Sequence, residues 1–262
     1  MGESNKVRHV CGISGGKDSA ALAIYLKRQG KLPDMEYFFS DTGCELPETY
    51  DFIEKLEVYL GKDIIRIGQE APFEHHLEIL GNMLPSPQQR WCTVRMKLKP
   101  FERFVGTDEV RSYIAIRADE LREGYISSKP NITPVFPFME DDIVRKDVFR
   151  ILKETVGVPE YYKWRSRSGC YFCFFQRQEE WIGLHENHPD LFKKAVKFEK
   201  YNPQTKKGFT WVEGTTLIEL LKKKNKIIST AKKKRAKQDN RTWQEKMLDE
   251  NDDEQGCLIC SL

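Results

Sequence analysis

The chain has 262 residues, of which 39% are hydrophobic and 32% are charged, and its 43 basic and 40 acidic residues nearly balance. This length predicts one large domain, or one domain with an appendage, and 15 Phe, 10 Tyr and 5 Trp exclude disorder throughout. No stretch reaches the ~20 apolar residues of a membrane span, and the start lacks the apolar segment of a secretory signal, so a cytoplasmic protein without membrane partners is expected.

Strand and helix signals alternate in the first half of the chain. Apolar runs predict strands at residues 7–13, 35–40, 64–67 and 111–116. Helical spacing of apolar residues predicts helices at 18–29 and from Pro47 to about Leu60. This alternation is typical of the α/β class, with a doubly wound, mostly parallel sheet covered by helices on both faces.

The second half gives mostly helical signals. Helices are predicted at 143–156, 177–186, 189–200 and 215–224. We therefore divide the chain into a nucleotide-binding domain at 1–138, a helical cysteine-bearing region at 139–224 and a tail at 225–262. The tail has few apolar residues and is expected to be its most mobile part.

Residues 12–19, GISGGKDS, follow an apolar strand and open a predicted helix. Two glycines at such a turn let backbone N–H groups point at an anion, and the helix dipole adds positive potential. Ser14 and Ser19 add hydroxyl donors and Lys17 adds a charge, whereas Asp18 is placed to cap the helix or to help hold a metal ion. The spacing differs from the Walker pattern.

The segment SGGKDS resembles the PP-loop of the adenine nucleotide alpha-hydrolase superfamily. Three further segments, in the same order, resemble the phosphoadenosine-phosphosulfate (PAPS) reductase branch of that superfamily. They are DTGCELPET at 41–49, WCTVRMKLKP at 91–100 and IRADELRE at 116–123. The resemblance implies binding of an adenine nucleotide at the carboxyl ends of the strands. Most members of the superfamily cleave ATP between its α and β phosphates, whereas the reductases bind a sulfonucleotide.

The resemblance also suggests roles for single residues. The residues expected to bind ATP and Mg²⁺ are Ser14, Gly15, Gly16, Lys17, Asp18, Ser19 and Asp41. Lys17, Asp18 and Arg117 are the predicted catalytic residues, and Arg95, Lys97, Lys99 and Arg122 are further candidates for stabilising negative charge. A solvated face is the alternative for these basic residues. Cys44 is expected to be a loop thiol, and His75 and His76 to be packing or surface residues.

The seven cysteines of a chain without an export signal favour metal or thiol chemistry over disulfides. Cys170 and Cys173 form one Cys-x-x-Cys pair, and Cys257 and Cys260 form a second. Thiolate pairs at this spacing can chelate one ion from a tight loop. Three interpretations of these cysteines remain open: they bind an iron–sulfur cluster, they bind a zinc ion, or they are buried thiols without a metal.

Adenylyl-sulfate reductases hold a four-iron cluster with a vicinal cysteine pair and a distant Cys-x-x-Cys, and Cys92 resembles one member of that vicinal pair. Its neighbour here is Thr93, so one ligand of the family set is missing. The predicted ligands of a 4Fe–4S cluster are therefore Cys92, Cys170, Cys173 and Cys260, with Cys257 as the substitute. The tail also lacks the Glu-Cys-Gly-x-His segment of PAPS reductases, which argues against reductase chemistry.

The run KKKNKIISTAKKKRAK at 222–237 carries nine basic residues and no acidic one, and EKMLDENDDE at 245–254 is acidic. The basic run is suited to backbone contacts with DNA or RNA, without base stacking, and its alternative is a solvated helix or tail.

Three functional hypotheses follow. The first is an ATP pyrophosphatase that activates an acceptor for sulfur insertion, with DNA phosphorothioation ahead of tRNA thiolation and a cysteine desulfurase as sulfur donor. The segment SGCYFCFF with the residues after it resembles members of that DNA pathway and reductase-like proteins of bacteria and phages. The second hypothesis is a sulfonucleotide reductase, and the third is a non-catalytic nucleotide-binding partner of an assembly.

Overall fold

The structure is a computed structural model that describes residues 7–30, 34–68, 70–120, 129–202, 204–205 and 207–239, with side chains through residue 234. The strands are β1 (Arg8–Gly12), β2 (Glu36–Ser40), β3 (Ile64–Ile67), β4 (Val110–Tyr113), β5 (Ile132–Val135), β6 (Lys200–Asn202) and β7 (Lys207–Phe209).

The helices alternate with the strands at first and then dominate the second half. They are α1 (Lys17–Gln29), α2 (Pro47–Leu60), α3 (Phe73–Ile79), α4 (Trp91–Thr93), α5 (Lys99–Val105), α6 (Pro137–Glu140), α7 (Arg145–Lys153), α8 (Gln178–Asn187), α9 (Pro189–Phe198), α10 (Leu217–Lys222) and α11 (Lys224–Asp239). A π-helical segment (Val94–Leu98) joins α4 to α5, and a 3₁₀ helix (Glu160–Lys163) follows α7.

In the described part of the chain, five strands form one sheet in the order β3-β2-β1-β4-β5, and every pair in it is parallel. Cys11 of β1 lies opposite Tyr37 of β2 on one side and Tyr113 of β4 on the other. β2 and β3 lie on one side of β1, and β4 and β5 lie on the other. The point in the sheet at which the direction of winding reverses is therefore between the neighbouring strands β1 and β4. The predicted fold class is confirmed.

Alternate residues of the strands face two different helical layers, as the two-residue period of a strand requires. Cys11 and Phe39 face α1, α2 and α7, whereas Val10 and Phe38 face α5 on the opposite side. α7 lies after the predicted boundary at residue 138, yet its Val148, Ile151 and Leu152 pack in the same core as α1.

A third core belongs mainly to the second half of the chain. Aromatic side chains dominate it, and Phe73 stacks on Trp91 at a centroid distance of 5.2 Å. Phe172 stacks on Trp211 at 5.1 Å. α3 and the loop after β2 also contribute to this core, so it joins the helical region to the edge of the sheet.

β6 and β7 were not predicted, and two strands of the five-stranded sheet also differ from the sequence expectation. β4 was expected at 111–116 but ends at Tyr113, because the chain turns where the N–H of Ile116 donates to the carbonyl of Ile114 (3.0 Å). β5 was not predicted, since its four residues include Pro134. Proline is tolerated there because β5 is an edge strand of the sheet.

The start of the tail is helical. α11 continues to Asp239, and Ile227 and Ile228 pack against the third core. Lys224 pairs with Glu186 of α8 at 2.6 Å. The acidic run, Cys257 and Cys260 lie outside the described residues. None of the described helices is long and apolar enough to cross a membrane.

Candidate functional site

The PP-loop (Ser14–Ser19) turns sharply between β1 and α1. Gly15 has φ +72°, a left-handed conformation that favours glycine. A Cβ at Gly15 would lie 2.4 Å from Thr49 Cγ2 of α2, and one at Gly16 would lie 2.6 Å from Ser168 Oγ. Neighbouring elements therefore approach the loop backbone closely, and Gly15 combines this close approach with a left-handed conformation, whereas at Gly16 the nearest atom is the end of the Ser168 side chain.

The two serines of the loop bond to each other and to the backbone. Ser14 N–H donates to Ser19 Oγ (3.1 Å), and Gly16 N–H donates to Ser14 Oγ (3.3 Å). The two hydroxyl oxygens are 3.1 Å apart. Gly16 is the residue that caps α1, and Asp18 lies in the first turn, so the expected capping role of Asp18 is wrong. The serines instead fix the curvature of the loop.

Two tyrosines of the 3₁₀ helix support the PP-loop from the second half of the chain. Tyr161, which is fully buried, donates from its hydroxyl to the carbonyl of Gly15 (2.6 Å). The hydroxyl of Tyr162 accepts from the N–H of Lys17 (3.0 Å). Neither residue is predicted from the sequence, because no local pattern distinguishes them from core tyrosines.

Arg117 reaches the PP-loop from the end of β4. Its guanidinium donates to Asp18 Oδ1 (2.9 Å) and Asp119 Oδ1 (2.9 Å) and contacts Glu120 Oε1 (2.7 Å). Lys17 Nζ contacts the other oxygen of Asp18 at 2.8 Å. The structure thus brings the three predicted catalytic residues into one ion-pair network at the crevice between β1 and β4, where open α/β sheets bind ligands.

The charges of this network set the ionisation of Asp18. Burial alone would raise its pKa, but Lys17 and Arg117 outweigh burial and hold the pKa of Asp18 below its ordinary value. Burial would likewise lower the pKa of Lys17, but Asp18 outweighs it and the pKa is raised. All three groups are therefore charged at neutral pH. Much of the guanidinium of Arg117 is engaged by carboxylates, so the geometry favours a role in positioning Asp18.

Asp41 follows β2, which is the neighbour of β1 in the sheet. Its buried carboxylate accepts from the N–H of Gly43 (2.9 Å) and from the hydroxyl of Tyr50 (2.8 Å). These bonds orient the carboxylate, and Asp41 stays a candidate ligand for nucleotide or Mg²⁺.

The remaining basic candidates do not form one group. Arg95 and Lys97 lie in the π-helical segment, Lys99 is exposed at the start of α5, and Lys97 lines the cysteine cavity described next. Arg122 lies outside the described residues.

Three of the predicted cluster ligands line one cavity of about 40 Å³, which we call the cysteine cavity. They are Cys92, Cys170 and Cys173, and the apolar walls include Phe73, Phe172, Phe174 and Phe175. Cys170 Sγ also lies 3.2 Å from Thr42 Oγ1 and 3.6 Å from Glu45 Oε1. Within the described ranges, no group of three or more His, Cys, Asp or Glu side chains is arranged to hold a metal ion.

Burial and the carboxylate of Glu45 raise the pKa of Cys170 well above its ordinary value, so the thiol is protonated at neutral pH. A bound cation is the usual means of ionising such a thiol. The three described cysteines are not arranged as a metal site, and the fourth predicted ligand, Cys260, lies outside the described residues, so the iron–sulfur cluster stays a prediction.

The other described thiols and the two histidines of α3 lie outside the cysteine cavity and the PP-loop. Cys11 is buried in β1, where burial raises its pKa to about 12. Cys44 is a buried loop thiol whose pKa is raised by burial and by Glu45. His75 is exposed and His76 is half-buried on α3, next to Trp91.

Arg165 is a second residue that the sequence did not reveal. It is buried, and its guanidinium donates to the carbonyls of Gly169 (2.9 Å) and Cys170 (2.8 Å). It therefore holds the Cys-x-x-Cys loop against the segment that follows the tyrosines.

The fold is a parallel α/β fold with the SGGKDS loop between β1 and α1. A family profile described as "Phosphoadenosine phosphosulfate reductase domain" matches residues 8–125. Over residues 8–125 this match bears out the predicted resemblance to the PAPS reductase-like branch.

The chain is similar to proteins of archaea and a phage. It is 27% identical over 238 residues to an uncharacterized protein of Methanocaldococcus jannaschii, covering 85% of this chain and 55% of that protein. It is 28% identical over 212 residues to an uncharacterized nin region protein of Escherichia phage lambda, covering 67% of this chain and 68% of that protein. The chain spans about half the length of the M. jannaschii relatives, with 55% and 43% of them covered.

One solved structure supports the fold. The crystal structure of PAPS reductase from Candida auris, a phosphate complex, matches with a TM-score of 0.50 and 14% identity, covering 64% of this chain and 83% of that one. At this identity the match shows the fold alone.

Proposed function

We propose that the protein is an ATP pyrophosphatase that cleaves ATP into AMP and pyrophosphate to activate an acceptor for sulfur insertion. The observation that carries the proposal is the PP-loop with Arg117 against it at the crevice between β1 and β4. Backbone N–H groups at a helix start, with a lysine beside them, are suited to the β and γ phosphates of ATP.

Each part of the site has a role in this reaction. The PP-loop holds the departing pyrophosphate, and Lys17 contributes positive charge as the bond to it breaks. Asp41 is the residue that would hold Mg²⁺, which would neutralise phosphate charge when bound. Asp18, predicted for the same role, has its two oxygens engaged by Arg117 and Lys17. An acceptor oxygen attacks the α phosphorus, the bond to the α–β bridging oxygen breaks, and pyrophosphate leaves with that electron pair.

The acceptor we propose is a nucleic acid, with DNA phosphorothioation ahead of tRNA thiolation. After adenylation, the terminal sulfur of a persulfide from a cysteine desulfurase displaces AMP, and a reducing thiol cleaves the S–S bond that remains. Support comes from the exposed lysines of α11, which include Lys232, Lys233 and Lys234.

The same preparation can be tested for both activities. Protein purified without oxygen is incubated with Mg-ATP, DNA and a persulfide-loaded cysteine desulfurase, and separately with PAPS and reduced thioredoxin. AMP with an equal amount of pyrophosphate supports the proposal. Sulfite release selects the sulfonucleotide reductase instead, the alternative favoured by the family profile at residues 8–125. ATP binding without turnover selects a non-catalytic partner.

We also propose a 4Fe–4S cluster held by Cys92, Cys170, Cys173 and Cys260. Replacing Cys170 with Ser is expected to remove the iron and the brown colour, because it removes one of the four thiolate ligands. Iron–thiolate charge transfer gives the colour, whereas zinc has a filled d shell and gives none. Replacing the buried Cys11 is the matched control and should keep both. If the protein contains one equivalent of zinc and no iron, the site is a zinc site and not a cluster. If it contains no metal, the cysteines are buried thiols.

Replacing Lys232, Lys233 and Lys234 with Gln tests the basic run without disturbing the core, because these side chains are exposed whereas Ile227 and Ile228 are packed. If all three contact phosphates, the slope of log affinity against log salt on duplex DNA should flatten by ~2.7, at ~0.9 for each contact. An unchanged slope would assign the run to a solvated helix.

A further inference from the structure

A cleft of about 460 Å³, which we call the basic cleft, opens beside the PP-loop between α7 and the 3₁₀ helix. Five basic side chains line it against one acidic side chain, Glu160, and two aromatic rings complete its walls. The lining residues that matter here are Lys17, Arg145, Phe149, Lys153, Tyr162 and Lys163. Lys17 is the one residue of the ion-pair network around Arg117 that lines the basic cleft.

One face of α7 forms a wall of the basic cleft. Arg145, Phe149 and Lys153 are spaced four residues apart, so they lie along the same side of the helix. Arg145 and Lys153 are exposed, and neither forms an ion pair with another described residue. Arg150 of the same helix is different, because it pairs with Asp147 at 2.8 Å. The side chains of Arg145 and Lys153 thus carry charge outside any ion pair of the described residues, although the backbone N–H of Arg145 donates to Asp119 Oδ2 (3.2 Å).

The aromatic rings of the basic cleft are placed next to these cations. The guanidinium of Arg145 lies 5.9 Å from the centroid of Phe149, and Lys17 Nζ lies 5.8 Å from that of Tyr162. Cations paired with aromatic faces are the combination that binds single-stranded nucleic acid, with phosphates on the cations and bases on the rings.

The basic cleft is joined to the PP-loop through two contacts. Tyr162 accepts from the N–H of Lys17 (3.0 Å), and Lys17 Nζ contacts Asp18 (2.8 Å). A phosphate group bound in the cleft therefore comes to lie at the same lysine that serves the phosphate loop.

We propose that the basic cleft binds a phosphodiester unit of a single nucleic-acid strand and guides it to the PP-loop. The volume is in the range of sites that enclose one small ligand, which suits one nucleotide unit of a longer strand. The identification of this strand as the acceptor rests on the proposed function. The binding of the strand in the basic cleft does not rest on it.

The test compares two double variants of the full-length protein. Arg145→Gln with Lys153→Gln removes the unpaired charges of the cleft, and Lys146→Gln with Arg150→Gln removes the same charge from α7 outside the lining. Binding of a labelled oligothymidylate is measured by fluorescence anisotropy over a series of salt concentrations. The cleft variant should flatten the log–log salt slope by ~1.4, since each phosphate contact on a single strand contributes ~0.7, and the control should not.

Two results would overturn the inference. One is a cleft variant that binds the strand with the same slope as the control. The other is a cleft variant that loses affinity for pyrophosphate while keeping the strand, which would assign the cleft to the leaving group of the nucleotide. Failure of the proposed function is read separately, because a wild-type protein that makes no AMP can still show the predicted loss of strand binding.

Discussion

Replacing Gly15 with Ala is expected to lower nucleotide turnover at least ~10²-fold, the cost of losing a preorganised group that binds developing negative charge. The new Cβ would lie 2.4 Å from Thr49 Cγ2, far inside the usual contact distance, so the loop backbone must move. The hydrogen bonds that the N–H groups of Ser14, Gly16 and Lys17 make inside and beside the PP-loop would then be disturbed, and the shape of the loop would change. The measurement is the rate of AMP release at saturating ATP, together with nucleotide affinity.

Gly30 provides the matched control for this variant. It ends α1, has φ +65°, and has no atom within 4 Å of an added Cβ. Gly30→Ala should therefore show only the conformational cost of an L residue in the left-handed region, about 1–2 kcal/mol of stability, with turnover retained. Adding Thr49→Ala to Gly15→Ala removes the colliding methyl group and should restore part of the turnover. Normal turnover in Gly15→Ala alone would contradict the assigned loop geometry.

Replacing Arg117 with Met is expected to cost about 3 kcal/mol of stability, because it leaves the buried carboxylate of Glu120 without this partner and removes one partner each from the partly exposed Asp18 and Asp119. The side chain is 3% exposed and contacts Asp18, Asp119 and Glu120. Asp18 should also lose its orientation, so turnover should fall with it. Urea unfolding with an unchanged m value measures the stability change, and exposed Arg111→Met on the same strand is the control.

The pH dependence of this variant has a defined sign. In the wild type, Lys17 and Arg117 lower the pKa of Asp18, so its contribution to stability is present above the ordinary carboxyl pKa and is lost as pH falls through the lower folded-state value. Without Arg117, burial acts on Asp18 with less opposition, and its pKa rises. The difference in stability between the two proteins should be greatest at neutral pH and shrink on acidification. A difference that grows on acidification would remove Asp18 from the network.

Local patterns were sufficient to predict most of the sheet and the PP-loop. The alternation of short apolar runs with helical spacing predicted β1, β2 and β3 and the helices after β1 and β2. Glycines followed by Lys17 and Asp18 predicted the phosphate loop, because the conformation of a strand-to-helix turn is decided by its own residues. Arg117 was predicted to act at the same site, and its position after β4 brings it there.

The parts of the site that the sequence did not reveal depend on distant contacts. Tyr162 meets Lys17 across 145 positions of the chain, and Tyr161 meets Gly15 across 146. No periodicity encodes such a pairing, because it arises from packing the second half of the chain against the loop. The basic cleft was missed for the same reason, since the spacing of Arg145 and Lys153 shows a helix face but not what lies opposite it.

The central claim is that the PP-loop, with Arg117 behind it, binds the pyrophosphate part of ATP. Titration of ¹⁵N-labelled protein with Mg-pyrophosphate, followed by amide chemical shifts, tests it most directly. We predict saturable shifts of the amides of Ser14, Gly15, Gly16 and Lys17, with those lining the cysteine cavity little changed. Shifts confined to the cysteine cavity, with the PP-loop amides unmoved at saturation, would contradict the account.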